Sequence, residues 1–200
     1  MPNQFLNLAV TNSVRQAQEH YYGSSEPPAG GPRPAVLTEE EIAYIQARDS
    51  FYMATVNESG WPYIQHRGRT GFLRVLDPLT LAFADYRGNR QMLSTGNLSA
   101  NDRVALFLMD YPQRTRLKIL GHARVEDARQ HPELVERLAE PGVCQAVERI
   151  FIIKVAAFDW NCPKYITPRY AIAEVEEMIA PLKRRLAELE AKVSSREMAR

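Results

Sequence analysis

The sequence predicts a mainly β fold, a small barrel with flanking helices, followed by a C-terminal helical tail. Short apolar segments rich in β-branched and aromatic residues recur between turn residues, which is typical of a barrel. The helical segments between them are short, and this pattern fits a barrel better than a doubly wound parallel sheet. The last part of the chain differs, because its apolar residues follow a helical spacing.

The composition is that of an ordinary globular protein, with 200 residues, 45% hydrophobic residues and 24% charged residues. This length predicts one domain with extensions. The net charge of +1 gives no reason to expect a nucleic-acid or membrane partner. No apolar run reaches the ~18 residues of a membrane span, and the first residues lack a signal-peptide pattern. We therefore expect a cytoplasmic protein with free thiols at Cys144 and Cys162, although a disulfide between them stays open.

Three regions can be distinguished along the chain. Residues 1–35 contain a short amphipathic helix over 4–20 and a Pro/Gly-rich arm. Residues 36–169 form the barrel domain, which opens on a helix whose Thr38 and Glu41 have the spacing of a capping box. Residues 170–200 form the helical extension.

The barrel domain contains the strands and two short helices. A helix is predicted over the segment QMLSTGNL, and another over HPELVERLAE, which has Pro132 near its start. The predicted strands cover residues 51–56, 63–69, 71–76, 79–84, 103–110, 117–127 and 149–160.

The tail carries apolar residues at alternating spacings of three and four, the a/d pattern of a helix that packs along one seam. Pro181 lies within it and predicts a short helix, a kink and a longer charged helix. Two interpretations stay open, in which the helix packs on its own barrel or against a partner chain. The seam consists of Ile172, Val175, Ile179, Leu182, Leu186, Leu189 and Val193.

Positive charge is concentrated in the middle of the chain. Residues 66–118 contain eight Arg and one Lys against four Asp and no Glu. Within this region the turn YRGNRQ places Arg87 and Arg90 between a strand and a predicted helix. Positive side chains at a helix start oppose the helix dipole, so their presence there suggests a bound anion.

The turn has the parts of a phosphate site. Gly88 permits a tight turn, Asn89 is a candidate helix cap, and Arg90 and Gln91 are predicted in the first helical turn, where backbone N–H groups are unpaired. Together with guanidinium groups, such N–H groups bind phosphate well. The alternative is that these arginines are solvated and make weak ion pairs.

A second basic segment, QHRGR, precedes this turn in the chain. It contains His66, Arg67 and Arg69, and the two arginines would share one face of a regular strand. If neighbouring strands pair, both basic groups converge. A metal site is not expected, because the sequence has no C-x-x-C or H-x-x-x-H pair.

The order of these segments resembles the pyridoxamine 5'-phosphate oxidase-like family, the FMN-binding split β-barrels. A strand that ends in basic residues is followed by a hairpin, the turn with Asn and Arg, and a short helix. The segment NLSANDRVALFLMD, a basic hairpin and a Trp near the end of the domain come next. The resemblance covers residues 36–169. The segment WNCPKYITPR is similar to the branch of predicted flavin-nucleotide-binding proteins.

The resemblance implies that the protein binds FMN at a site made by two subunits. Arg116 falls in the hairpin strand that reaches the other subunit's flavin, and Trp160, Lys164 and Arg169 resemble the C-terminal segment that closes the site. This implies a homodimer with the flavin sites at its interface. The remaining implied site residues are His66, Arg67, Gly68, Arg69, Asp85, Tyr86, Arg87, Asn89, Arg90 and Gln91.

Two departures from the family pattern bear on the function. Gln91 stands where the family has a Lys, so phosphate binding would depend more on Arg67 and Arg87. The segment 164–169 replaces the Arg-Leu-x-Pro segment of the true oxidases and about thirty residues follow it, which argues against pyridoxamine phosphate as the substrate.

The leading hypothesis is therefore an FMN-dependent oxidoreductase of unknown substrate, with a small molecule or NAD(P)H as reaction partner and no assigned catalytic residue. FMN is favoured over FAD or a deazaflavin because the inferred site suits one terminal phosphate. One alternative is a non-catalytic flavin carrier or sensor. Another, less favoured, is a barrel that binds single-stranded nucleic acid.

Overall fold

The structure, a computed structural model, describes residues 4–25, 35–68, 71–160 and 164–197. It separates into two compact units, one made of residues 1–110 and 115–163 and the other of 111–114 and 164–200. The first unit contains five helices, and all described strands belong to it. Its helices are α1 Gln4–Ala9, α2 Asn12–Tyr22, α3 Glu39–Gln46, α4 Leu93–Ala100 and α5 Pro132–Leu138, with 3₁₀ turns at Ala128–Gln130 and Cys144–Ala146.

Seven strands form one antiparallel sheet with the order β2-β1-β5-β6-β7-β4-β3. Each predicted strand is present, and the two longest lie at the centre of the sheet. The strands are β1 Ser50–Val56, β2 Pro62–Gly68, β3 Arg74–Asp77, β4 Thr80–Tyr86, β5 Arg103–Asp110, β6 Thr115–Asp127 and β7 Val147–Trp160.

The sheet curls around a core of aromatic and aliphatic side chains. Phe51 in β1 and Phe83 in β4 lie on strands separated by three others, yet their ring centroids are 5.5 Å apart. Phe83 also stacks on Phe151 of β7 at 4.7 Å. Such contacts require a barrel whose edges are β2 and β3, so the predicted mainly β split barrel with flanking helices is confirmed.

A second, smaller core lies outside the barrel wall. Ala84 of β4 and Ile150 of β7 pack there with Val135 and Leu138 of α5. The residues of β4 are therefore buried on both faces, which explains why its segment LAFA, residues 81–84, is continuously apolar. At the β6–β7 bulge, a Cβ on Gly121 would lie 2.6 Å from the carbonyl oxygen of Lys154, so only glycine fits this close approach.

The capping box that starts α3 is confirmed, and it does more than cap. Glu41 accepts hydrogen bonds from the backbone N–H and hydroxyl of Thr38 and, through its other oxygen, from Nε1 of Trp160. Burial raises the pKa of Glu41, but the hydrogen bonds from Thr38 and Trp160 outweigh it and hold the pKa below its ordinary value of 4.5. The carboxylate thus ties α3 to the end of β7.

Four expected boundaries were wrong. The N-terminal helix is two helices, because Thr11 caps a new one by accepting a hydrogen bond from the backbone N–H of Val14. The strand predicted over 71–76 begins only at Arg74, since Phe72 and Leu73 reach the core from a loop that follows Gly71 with its φ of 69°.

The other two concern helices. The helix predicted over 91–98 begins at Leu93 and ends at Ala100. In the second unit, α6 Ile172–Glu197 is one helix with Pro181 inside it, rather than two. Proline lacks an N–H and its ring crowds the carbonyl four residues earlier, but the hydrogen bonds on either side of Pro181 continue the helix. Within the described ranges, no helix is long and apolar enough to cross a membrane.

Candidate functional site

A polar cavity of about 220 Å³ opens beside β2, β4 and the turn between β4 and α4. We call it the basic cavity. Residues from four parts of the barrel unit meet here: the edge strand β2, the end of β4, the start of β7 and the start of α4. Its lining consists of Tyr63, Gln65, Arg67, Asp85, Tyr86, residues 88–95 and Arg149.

The alternation of β2 decides which of its side chains reach the basic cavity. Successive residues of a strand point to opposite faces, so Tyr63, Gln65 and Arg67 share the half-buried face. Ile64 and His66 lie on the exposed face. Arg67 therefore lies on the face that lines the cavity.

Asp85 is the centre of a buried charge cluster in the basic cavity. Its carboxylate accepts a hydrogen bond from Nη1 of Arg67 on one oxygen and from Nε and Nη2 of Arg149 on the other, at 2.8 and 2.7 Å. The side chains of Arg67, Asp85 and Arg149 keep only 12%, 11% and 16% of their exposure. The basic cavity is lined by three arginines and one carboxylate. Glu148, which contacts Arg149 from outside this lining, compensates one of the arginines, so an excess of one positive charge remains.

One N–H group of the Arg67 guanidinium has no hydrogen-bond partner in the described part of the chain. Its Nε is buried and has no hydrogen-bond partner among the described residues, and its guanidinium lies 5.4 Å from the ring centroid of Phe83 and 5.2 Å from that of Phe151. Buried donors without partners are rare in folded proteins. Because this Nε is closed off from solvent, it does not itself reach the cavity. The fixed guanidinium contributes its positive charge to the cavity wall, which suits an anionic ligand.

The turn before α4 is strained. Arg90 and Met92 both have a φ of 59°, a left-handed conformation that is uncommon for residues other than glycine. Gly88, to which the sequence assigned the tight turn, does not have a positive φ. Strained residues of this kind concentrate at binding sites, where the surrounding structure holds them.

Arg90 and Gln91 precede α4 and do not form its first turn, so that expectation was wrong. The physical reason is the left-handed Met92, which stands at the N-cap position. Asn89 caps locally instead, because its Oδ1 accepts a hydrogen bond from the backbone N–H of Gln91 at 3.1 Å. Leu93, Ser94 and Thr95 at the start of α4 nevertheless line the same cavity.

Glu148 is the counter-charge of the exposed arginines in the turn. Its Oε1 lies 3.3 Å from Nε of Arg87 and 3.5 Å from Nη2 of Arg90, and its Oε2 lies 3.1 Å from Nη1 of Arg149. Desolvation raises the pKa of Glu148, but the hydrogen bonds from Arg87 and Arg149 and the charge of Arg90 hold it below the ordinary value. The ion pairs predicted as the alternative for these arginines are thus present. Arg90 also lines the basic cavity, whereas Arg87 and Glu148 line a neighbouring pocket.

Sequence reasoning missed Arg149 and Glu148. Both stand at the start of β7, and Arg149 is paired with Asp85 in the β4–β7 register. The only local signal was the dipeptide Glu-Arg before the apolar run IFIIKVAAF. It indicated a strand start and gave no information about the neighbouring strand.

The other predicted site residues lie elsewhere. His66 packs edge-on against Tyr52, with ring centroids 5.5 Å apart, on the face of β2 that points away from the cavity. Gly68 is required by a close approach, since a Cβ there would lie 2.8 Å from Cε1 of His66 and 3.3 Å from Cβ of Ser50. Arg69 lies outside the described residues, as does Cys162.

Arg116 and Trp160, expected to contact a flavin of the other subunit, are in the barrel unit but not at the basic cavity. Arg116 lies over Phe107 at 5.8 Å on the outer face of β5 and β6, and its buried Nε has no partner among the described residues. Trp160 donates its indole N–H to Glu41 and packs edge-on against Tyr44.

Lys164 and Arg169 belong to the second unit. Nζ of Lys164 lies 5.3 Å from the ring centroid of Tyr165, and the guanidinium of Arg169 lies 5.0 Å from that of Tyr111. Their part in a site shared with the barrel stays a prediction. Across the described stretches of the chain, no group of three His, Cys, Asp or Glu side chains is placed to hold a metal ion.

Comparison with known proteins gives a family match and several similar structures. Residues 37–150 match the family model described as pyridoxamine 5'-phosphate oxidase. No curated protein matches the chain.

Three solved structures illustrate the likeness. A putative pyridoxamine 5'-phosphate oxidase from Lactobacillus delbrueckii is 21% identical, with 62% of this chain and 93% of that chain covered and a TM-score of 0.49. General stress protein 26 from Bacillus anthracis is 15% identical, with 60% and 91% covered and a TM-score of 0.47. An FMN-binding protein from Syntrophomonas wolfei is 10% identical, with 62% and 87% covered and a TM-score of 0.44.

Proposed function

The chain belongs to the pyridoxamine 5'-phosphate oxidase family, and we propose that it binds FMN with the phosphate in the basic cavity. The observation that carries this proposal is the pair of largely buried guanidinium groups of Arg67 and Arg149, which lie around the carboxylate of Asp85 at the wall of the basic cavity. The excess positive charge suits a dianionic phosphate monoester. The strained turn adds Arg90, which also lines the cavity.

The size of the basic cavity supports FMN bound only in part by this chain. Pockets that enclose a whole ligand of this size have volumes of about 300–1,000 Å³, and the basic cavity has about 220 Å³. It suits the phosphate end, while the ring system would extend beyond it. A second copy of the chain is the natural source of the missing wall, with Arg116, Trp160, Lys164 and Arg169 as its candidate residues.

We further propose that the FMN-bound homodimer is an oxidoreductase that acts on a small molecule or accepts electrons from NADH or NADPH. Bound FMN supplies hydride and electron transfer, and the protein supplies binding, orientation and charge. Arg67 and Arg149 would fix the phosphate, and the net positive charge of the site would favour the anionic reduced cofactor. No side chain of the described part is assigned as an acid or base.

Titration of the apo-protein with FMN and with riboflavin, which lacks the phosphate, tests the cofactor. Charge-assisted hydrogen bonds contribute about 1.5–3 kcal/mol, so FMN should bind about ten- to a hundredfold more tightly than riboflavin. Equal affinities for the two flavins would contradict a phosphate site in the basic cavity.

Light scattering of the FMN-loaded protein tests the assembly, with a mass of twice 22.8 kDa expected. A monomer that holds one FMN per chain would refute the shared site. Anaerobic addition of NADH or NADPH then tests turnover by the loss of the visible flavin absorbance. An FMN-loaded protein that neither nicotinamide cofactor reduces would favour the non-catalytic carrier or sensor.

A further inference from the structure

The helix α6 carries an exposed apolar stripe along most of its length. The stripe follows the a/d positions of a heptad pattern, with Ile172 and Ile179 at a and Val175 and Leu182 at d. Ile172 keeps 80% of its exposure and Leu182 keeps 70%. Further along, Leu186 keeps 58% and Leu189 keeps 45%. Such a stripe on a helix of 26 residues is an unused packing surface.

We propose that this stripe pairs with the same stripe of a second copy of the chain, as a parallel two-stranded coiled coil. The residue types favour this occupant. Isoleucine at the a positions Ile172 and Ile179 and leucine at the d positions Leu182 and Leu189 favour parallel dimers. Leu186 at a and Val175 at d depart from this pattern, so the orientation is set by the charges beside the stripe.

The charges beside the stripe select the parallel orientation. In a parallel pair each g residue faces the e residue five positions later on the other helix, which brings Arg185 of one chain opposite Glu190 of the other. By symmetry the pair occurs twice. In an antiparallel pair centred between Leu182 and Leu186, Arg185 would face a second Arg185, and Lys183 would face a second Lys183. Such like-charge contacts destabilise the alternative.

Pro181 is compatible with this pairing. It occupies a c position, outside the a/d stripe, so its ring does not enter the seam. Arg185 also makes an ion pair with Glu188 of its own helix, with Nη1 and Oε2 3.0 Å apart. Both partners are about 60% exposed, and exposed pairs contribute little, so this contact leaves Arg185 free to pair with Glu190 of the second chain.

Disulfide crosslinking in the full-length protein tests the proposal. Leu189→Cys would be made with Cys144→Ser and Cys162→Ser, and its matched control is Arg184→Cys, at the f position on the opposite side of the helix. Under mild oxidation, Leu189→Cys should form a covalent dimer and Arg184→Cys should not. Circular dichroism confirms that both variants remain folded.

Charge exchange provides the second measurement. Arg185→Glu in the Leu189→Cys protein should slow crosslinking by about fivefold, because two symmetric attractive pairs become repulsive. Adding Glu190→Arg should restore the rate. These variants lie outside the basic cavity, so FMN affinity serves as an independent readout and should not change.

Three results would overturn the pairing. Absence of any crosslink at Leu189→Cys would mean that the stripe packs on its own chain or on a different protein. Crosslinking only in a mixture of Ile179→Cys and Leu189→Cys chains would show the antiparallel arrangement. Equal crosslinking of Leu189→Cys and Arg184→Cys would indicate random collision.

Discussion

Replacement of Asp85 by asparagine should change the stability of the fold and the affinity for FMN in opposite directions. Asp85→Asn removes the single negative charge between Arg67 and Arg149 in a place where all three side chains are at least four-fifths buried. Loss of one partner from a buried ion pair costs about 3–5 kcal/mol, because the remaining charges are left uncompensated. Asparagine retains a hydrogen-bond acceptor, so we expect the lower end of this range.

The same change should tighten the binding of a phosphate group. Two unit charges about 10 Å apart interact by about 1.7 kcal/mol at an effective dielectric constant of about 20. Removal of one negative charge from the wall of the basic cavity should therefore lower the Kd for FMN by about tenfold at low salt. Riboflavin carries no phosphate, so its Kd should stay within about twofold. The gain for FMN should shrink at high salt.

Urea denaturation and flavin fluorescence titration measure the two effects. With an m-value of about 2 kcal/mol/M, a loss of ~3 kcal/mol lowers the urea midpoint by about 1.5 M. Saturation with FMN should return part of this loss, since a ligand that binds only the folded state stabilises it.

Asp110→Asn is the matched control for the Asp85 variant. Asp110 lies 2.7 Å from Nη1 of Arg48, and the two side chains are buried to the same degree as the Asp85 cluster, at 13% and 15% exposure, but they lie outside the basic cavity. Asp110→Asn should lower stability without separating FMN from riboflavin. If Asp85→Asn changes the affinities for both flavins equally, the phosphate does not lie in the basic cavity and our reasoning is refuted.

Three further predictions concern other parts of the chain. In fluorescence titrations, Arg90→Ala should lower the affinity for FMN by about tenfold and leave the affinity for riboflavin unchanged. Arg90→Lys should recover part of the lost FMN affinity. Arg103→Ala lies outside the cavity and should change neither affinity. Glu41→Gln should lower the free energy of unfolding by about 1–3 kcal/mol at pH 7. Because the folded-state pKa of Glu41 is depressed, its contribution is complete above pH 4.5 and lost below it, so urea midpoints of variant and parent should converge in acid. Truncation after Tyr170 should leave the Kd for FMN unchanged. If the truncated protein no longer binds FMN, α6 forms part of the flavin site.

The barrel could be predicted from the sequence because its signals are local. Turn residues mark each hairpin, and the regular strand expected at β2 implied that its side chains alternate between two faces, as the structure shows. Likewise, the spacing of Thr38 and Glu41 was sufficient to predict the capping box. These features depend on contacts between residues a few positions apart, which a single sequence records.

The charge cluster could not be predicted because it depends on strand order. Asp85 and Arg149 are 64 positions apart and meet only because β4 pairs with β7 in one register. The second role of Glu41 was missed for the same reason, since Trp160 lies 119 positions away. The family resemblance suggested Asp85 as a site residue but supplied no partner for it.

The strained turn before α4 also depends on contacts between distant residues, which the sequence does not show. These contacts hold the turn in the conformation that would bind the phosphate. Left-handed residues such as Arg90 and Met92 cost about 1–3 kcal/mol each and persist only when their surroundings hold them. On one side, β4 fixes the turn through its pairing with β7. On the other side, α4 is tied to the sheet by two side-chain bonds, from Asn97 to the hydroxyl of Thr55 at 2.8 Å and from Ser94 to Gln65 at 3.2 Å.

A turn held at both ends is already in place before a ligand arrives. Binding then does not have to order the segment, a cost that otherwise reduces affinity by about 0.5–1.5 kcal/mol for each immobilised side chain. Asn97→Ala would remove one of the two ties while leaving every residue of the basic cavity unchanged. If preorganisation of the turn matters, this distant substitution should weaken FMN more than riboflavin in the same titration, because only the phosphate contacts the turn. An unchanged ratio of the two affinities would show that the turn holds its conformation without α4.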